Sequence, residues 1–231
     1  MANFDINVYP TDILLARTVA QRWLDAVAEA NSKKQPYLVA LSGGRITKAF
    51  FSVVVELAKQ SATNLENVHF FWADERCVPP TDPESNFFLA DQLLFQPLAI
   101  HPRQIHRLRG EAEPQVAVDS AIFELNALAG KTPTGQPQFD LILLGMGEDG
   151  HVASLFPNAS AEVIDCPSPY LWIDNSPKPP PKRISLSYAT IVAAKDVWVL
   201  VSGAGKENAF KESTASDRKT PLGRVLQLRS G

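Results

Sequence analysis

The sequence predicts a doubly wound α/β fold with a mostly parallel sheet and helices on both faces. Short apolar runs alternate with longer amphipathic stretches, which is the order of strand, crossover helix and parallel strand. Four of those runs break into glycines or charged residues, as strands do where their carboxyl ends feed loops. With 231 residues and 45% hydrophobic content, the chain can bury one substantial core, so a single domain over residues 1–231 is expected.

The first element is a helix over residues 11–30. Ile13, Leu14, Ala16, Val19, Trp23, Leu24 and Val27 recur at helical spacing behind a Thr-Asp start suited to capping. Residues 37–41 read as a buried strand that breaks into Ser42-Gly43-Gly44-Arg45, and a helix follows over 47–59. A second strand, 68–72, exits through Ala73-Asp74-Glu75-Arg76, and a helix begins at Ser85-Asn86 and runs to Phe95. Residues 105–108 and 183–187 are candidates for further strands. Residues 114–129 read as a helix whose proline falls in the first turn, where it is tolerated. The strand over 139–144 ends in Gly145-Met-Gly147-Glu-Asp149-Gly150-His151. Residues 158–182 are expected to be an irregular loop over one edge, since Ser176-Pro-Lys-Pro-Pro-Pro-Lys182 is too proline-rich for a helix or central strand. A last strand, 197–201, exits into Ser202-Gly-Ala-Gly-Lys206 and a helix through Phe210.

Composition narrows the function. Net charge is -3 and the basic residues are dispersed, which argues against an extended nucleic-acid surface. No window approaches the roughly 18 apolar residues of a membrane span, and the N-terminus lacks a basic start followed by an apolar stretch. A cytoplasmic protein is expected. Cys77 and Cys166 are too few for a disulfide framework and lack zinc-site spacing; both are expected to be reduced and structural.

In an open parallel sheet every strand's carboxyl end lies on one edge, so the four loops are expected to meet in one crevice. Ser42, Gly43 and Gly44 before a helix start form a plausible anion cradle, and Arg45 adds a guanidinium suited to phosphate. Lys206 offers a second cation, although a lone lysine at such a position is often only solvated. Asp74, Glu75 and Arg76 read either as a surface ion pair or as groups that orient a base and stabilise an oxyanion. His151, behind Gly145, Gly147 and Gly150, is the one of four histidines set among glycines and carboxylates. His69 reads as a packing residue, and His101 and His106 are assigned no chemistry. The glycines also match G-x-G-x-x-G, but two carboxylates within the turn would repel a pyrophosphate, and Phe156-Pro157 interrupts a following helix. Nor does 42–48 match a P-loop, so no nucleotide is implied.

Taken together, Leu41-Ser-Gly-Gly44, Phe71-Trp-Ala-Asp-Glu-Arg-Cys-Val78 with Pro83-Glu-Ser-Asn86, Gly145 to Pro157, and Arg183-Ile-Ser-Leu with Ser202-Gly-Ala-Gly-Lys206 resemble the 6-phosphogluconolactonase family of the glucosamine/galactosamine-6-phosphate isomerase superfamily. The blocks occur in that family's order over most of the chain. The resemblance implies a deaminase/lactonase-like Rossmann-type fold and hydrolysis of 6-phospho-D-glucono-1,5-lactone to 6-phospho-D-gluconate in the oxidative pentose phosphate pathway. It implies no metal and no organic cofactor, and a sugar phosphate lactone as the small-molecule partner. The assembly expected is a monomer or weak homodimer. Deaminases of the superfamily typically read Asp-Glu-Tyr and Gly-His-Ile-Ala-Phe-Asn-Glu-Pro where this chain has Asp74-Glu-Arg76 and Gly150-His-Val-Ala-Ser-Leu-Phe-Pro157, which favours the lactonase over an amino-sugar-phosphate deaminase or a non-catalytic sugar-phosphate-binding regulator. Many relatives continue Ser-Gly-Gly with Ser-Thr-Pro, so their hydroxyl contacts do not transfer to Arg45 and Ile46. Relatives also usually carry a Trp-containing segment beyond the equivalent of 224–229, so the C-terminal segment reads as short. In the mechanism so implied, His151 is the general base, Arg76 stabilises the oxyanion, and Asp74 or Asp149 orients the imidazole or the water. The glycine-loop amides, Arg45 and Lys206 hold the 6-phosphate.

Overall fold

The computed structural model describes residues 4–229. In chain order the elements are α1 (Asp12–Ser32), β1 (Tyr37–Leu41), α2 (Arg45–Ser61), β2 (Val68–Trp72), β3 (Asp74–Arg76), α3 (Asn86–Ala90), α4 (Pro114–Leu128), β4 (Gly130–Lys131), β5 (Pro137–Gln138) and β6 (Leu141–Gly145). After these come α5 (Ala161–Ile164), β7 (Tyr170–Ile173), β8 (Arg183–Leu186), α6 (Tyr188–Ala193), β9 (Asp196–Leu200), α7 (Glu207–Thr214) and α8 (Pro221–Leu228). Among the described residues, no helix is long and apolar enough to cross a membrane.

The main sheet has the order β2-β1-β6-β9, and all of its pairings are parallel, as expected. Every residue of β1 is buried, the pattern of a strand covered on both faces. Alternation along β2 sends Phe70 toward Trp23 of α1, with centroids 6.2 Å apart, and Phe71 toward Phe139 and His106, at 5.5 and 4.4 Å. Trp23 also meets Phe50 of α2 at 6.0 Å. The first helix is capped as its Thr-Asp start suggests, with Leu14 N–H donating to Thr11 Oγ1 at 3.2 Å.

Three elements depart from expectation. Asp74–Arg76 is not a polar exit but strand β3, central to the site because it pairs antiparallel with β8, which pairs in turn with β7. Its polar side chains satisfy one another's neighbours inside the protein, so the apolar alternation that marks a strand is missing. Residues 158–182 are not wholly irregular, since β7 lies within them; Tyr-Leu-Trp-Ile is strongly β-prone, and the proline run after it masks that signal. Residues 105–108 contribute one parallel bridge, Ile105 to Phe70, rather than a strand. The helix starting at Asn86 does reach Phe95, its last turn widening to a π-helix over Asp91–Phe95. α8, which had no counterpart in the sequence reading, starts under Thr220, whose Oγ1 accepts from Gly223 N–H at 3.0 Å.

Candidate active site

The four loops meet at the carboxyl edge of the parallel sheet. Ser42 Oγ donates to the Leu143 carbonyl at 2.8 Å, tying the β1 loop to β6. A Cβ on Gly43 would lie 2.0 Å from Asn86 Oδ1, so the close approach of the β1 loop to α3 requires glycine there. Gly44, at φ +112°, is the N-cap of α2 and provides no side-chain cap for its first amides, which leaves donors and the positive end of a 17-residue helix at the crevice. Thr47 Oγ1 turns back to the Gly43 carbonyl at 3.1 Å and Ile46 is buried, so neither side chain reaches the crevice.

Arg45 crosses from α2 to the β9 loop. Its Nη2 donates to Ser202 Oγ at 3.3 Å and lies 3.9 Å from Asp12 Oδ2. A Cβ on Gly203 would come within 2.6 Å of that same nitrogen. The Arg45 side chain is 71% exposed. Lys206 is close enough to Arg45 that their charges repel: burial first, then the Arg45 cation, lowers its pKa, while Glu148 opposes the shift. Glu148 belongs to the β6 loop and packs on Gly205, where a Cβ would approach its Oε1 to 2.9 Å.

The β6 loop is built around its histidine. His151 Nδ1 lies 2.5 Å from Asp149 Oδ1, and the His151 N–H donates to the same oxygen at 3.3 Å. A Cβ at Gly147 would fall 2.0 Å from His151 Nδ1 and 2.6 Å from Asp149 Oδ1, so glycine is what leaves room for the pair. Gly147 N–H donates to the His151 carbonyl at 2.9 Å and Gly150 N–H to the Gly147 carbonyl at 3.1 Å. These two amides, expected to face phosphate, are instead spent on closing the loop. Gly145 ends β6, paired with Leu200. Gly150, at φ +77°, packs against Thr220, and its carbonyl accepts from Leu222 N–H at 3.0 Å, docking the loop on the start of α8.

Burial lowers the His151 pKa below the ordinary imidazole value; Asp149 and Asp74 pull it up and Lys178 pushes it down. Asp149 feels burial in the opposite sense, but the hydrogen bond and charge of His151, with Lys178, outweigh it and hold the carboxyl below its usual range. The result is a neutral imidazole beside a carboxylate at neutral pH. With Nδ1 on the carboxylate, the bonding pattern assigns the proton to Nδ1 and leaves the Nε2 lone pair open. Phe156 flanks the ring, with centroids 4.5 Å apart.

Of the two aspartates, Asp149 is therefore the one hydrogen-bonded to His151. Asp74 is buried and otherwise engaged, accepting from Ser154 Oγ at 2.7 Å and from Asn86 Nδ2 at 3.4 Å, with Arg183 Nη1 3.9 Å away. Arg76 donates through Nη1 to the Glu84 carbonyl at 2.7 Å, while its Nε is buried without a hydrogen-bond partner among the described residues. Three roles escaped the sequence reading. Glu75 is a buried clamp that accepts from Arg76 N–H, Asn86 N–H, Phe87 N–H and Ser85 Oγ, and burial, against those four bonds, pushes it up to about 7. Arg183, also buried, lies 5.8 Å over the Phe156 ring. Lys178, from the proline run, places Nζ 3.6 Å from Asp149 Oδ2. The signal for Arg183 was the polar residue opening an apolar strand; for Lys178 there was none. Cys77 is free, and its thiol, pushed up to about 12 by burial, is no nucleophile.

An open parallel sheet that holds a His-Asp pair and two cations at its carboxyl edge defines an α/β protein built to take a small anionic ligand. The family model of glucosamine-6-phosphate isomerases/6-phosphogluconolactonase matches residues 10–230. The chain is 34% identical to the 6-phosphogluconolactonase of Mycobacterium tuberculosis over 209 residues, 88% of this chain and 83% of that protein. It is 37% identical to that of Haemophilus influenzae over 200 residues, 84% and 82% of the two chains. The solved structure of 6-phosphogluconolactonase from Trypanosoma brucei superposes with a TM-score of 0.85 at 27% identity, over 100% of this chain and 94% of that one. The chain belongs to the glucosamine-6-phosphate isomerase/6-phosphogluconolactonase family.

Proposed function

We propose that this protein is a lactonase that hydrolyses 6-phospho-D-glucono-1,5-lactone to 6-phospho-D-gluconate, the second step of the oxidative pentose phosphate pathway. The observation that carries the reading is the neutral His151, held through Nδ1 by Asp149, in one crevice with Arg45 and Lys206. The relatives that cover most of the chain are named for this activity.

In this mechanism Nε2 of His151 takes a proton from water as the water oxygen attacks C1 of the lactone. The carbonyl electrons move onto oxygen, opposite the partly exposed cationic side chain of Arg76. The tetrahedral intermediate collapses with cleavage of the C1 to ring-oxygen bond. The imidazolium returns its proton to the ring oxygen, which leaves as the 5-hydroxyl, and the acid product ionises. Asp149 orients the ring and stabilises its cation. Asp74 supports the site from β3 and does not orient the base. The α2 amides, Arg45 and Lys206 hold the 6-phosphate, so binding energy remote from C1 positions the reacting carbon. Ser42 and the glycines shape that cradle. No metal or organic cofactor takes part, one domain carries the activity, and a cytoplasmic, monomeric or weakly dimeric protein belongs to the same reading.

The test is direct. Lactone generated by glucose-6-phosphate dehydrogenase is followed with and without the protein. Formation of 6-phosphogluconate well above the spontaneous rate is expected; no acceleration, or release of ammonia from glucosamine 6-phosphate instead, overturns the reading.

A further inference from the structure

We propose that Lys178 is a positioning residue for the base: its ammonium holds the outer oxygen of Asp149 so that the inner oxygen stays on His151, and its charge keeps the imidazole ready to accept a proton. This rests on the reading of His151 as general base. A carboxylate that serves a histidine through one oxygen can rotate about its χ2 unless the other oxygen is also held, and Asp149 divides its two oxygens in this way, Oδ1 to His151 and Oδ2 to Lys178.

The surroundings of Lys178 set it apart from a solvated lysine. Its backbone is fixed on both sides: its N–H donates to Ser176 Oγ at 3.3 Å, and its carbonyl accepts from Ser176 Oγ at 3.0 Å and Arg183 Nη2 at 3.2 Å. Arg183 also donates to the carbonyls of Pro179 and Pro180, at 3.1 and 2.9 Å. A guanidinium only 4% exposed is thus committed to three consecutive carbonyls of a proline-rich segment, while its other face meets Asp74 and Ser154. Burying a cation is costly unless it is fully paired, and here the pairing locks the segment that carries Lys178. The ammonium then lies within electrostatic reach of both His151 and Lys206, between the base and the cations proposed to hold phosphate. The charged groups facing His151 are Asp149 from its own loop, Asp74 from β3 and Lys178 from the proline segment; Lys178 is the only one of these three that opposes protonation.

A lysine paired at the surface beyond electrostatic reach of the ring would leave the titration of His151 unchanged. A positioning cation would not. One charge roughly 6 Å away, at an effective dielectric of roughly 40 to 80, moves a pKa by about 0.5 to 1 unit. In Lys178→Met the acid limb of kcat/KM for lactone hydrolysis, which reports the free enzyme's base, is expected to rise by that amount, with kcat lowered more than KM is changed. Lys178→Arg should return the limb to within about 0.2 unit of wild type. The His151 Cε1 proton, assigned by its absence in His151→Gln, should show the same displacement by NMR, a readout that needs no turnover. An unshifted limb and an unshifted imidazole titration in Lys178→Met overturn the proposal. Failure of the underlying reading looks different: His151→Gln would then retain wild-type turnover whatever Lys178 does.

Discussion

Gly147→Ala isolates the His-Asp geometry with a single methyl group. The added Cβ would stand 2.0 Å from His151 Nδ1, 2.1 Å from its Cε1 and 2.6 Å from Asp149 Oδ1, whereas non-bonded carbon contacts settle near about 3.5 Å. The imidazole must therefore retreat by more than about 1 Å, a displacement that costs on the order of 10²-fold in rate when it separates a catalytic group from its target. Backbone strain does not confuse the experiment, because Gly147 is not among the positive-φ glycines and alanine fits its conformation. Stability should change little: the ring is the free end of a side chain that can rotate outward, and 1 kcal/mol corresponds to about 2–4 °C in a chain of this size. The expected result is a kcat about 10²-fold below wild type with Tm within about 3 °C. A folded Gly147→Ala enzyme with kcat within about threefold of wild type would refute the claim that the 2.5 Å pairing is needed for turnover.

Lys206→Ala and Arg45→Ala should each raise KM for the lactone about tenfold or more with a smaller change in kcat, as expected for groups gripping a remote phosphate; unchanged KM in both places the phosphate elsewhere. Glu75→Gln replaces an acceptor facing buried donors with a donor, so of its four bonds two are lost, at about 2 to 4 kcal/mol in total. Calorimetry should show a Tm fall of roughly 5 to 15 °C, and an unchanged Tm would mean that the side chain is held protonated. His69 and His106 are hydrogen-bonded ring to ring at 3.0 Å, with Glu124 on the far nitrogen, and burial lowers both pKa values from 6.5. Because the unfolded chain then binds protons more readily, stability is full above about pH 6.5 and falls as the pH drops below it. Tm measured from about pH 7.5 to about pH 5.5 should decline, less steeply in His69→Phe; equal slopes refute the coupling.

The parallel sheet was legible because β1, β2, β6 and β9 are apolar runs ended by glycines or charges, and the parallel rule then brought their loops to one edge. That rule also placed Arg45, Lys206 and the 145–151 loop together before any contact was known. What stayed hidden was decided by partners distant in sequence. Asp74, Glu75 and Arg76 are too polar to signal a strand, and their pairing with β8, more than a hundred residues away, is invisible to periodicity. The choice between Asp74 and Asp149 depended on which carboxylate Ser154 and Arg183 occupy. The roles of the glycines divided on contacts: Gly43 and Gly147 admit neighbours, Gly44 opens the α2 terminus, and the amides of Gly147 and Gly150 close their own loop. Lys178 was unreadable, since a lysine among prolines carries no pattern.

The central claim is that one imidazole removes the proton from water. The most direct measurement is single-substrate turnover of freshly generated 6-phospho-D-glucono-1,5-lactone by wild type and His151→Ala, with folding checked by circular dichroism. The account predicts a kcat lowered by about 10² to 10⁴ with KM little changed, the range for loss of a general base. A folded His151→Ala protein that turns over at a near-normal rate would contradict it.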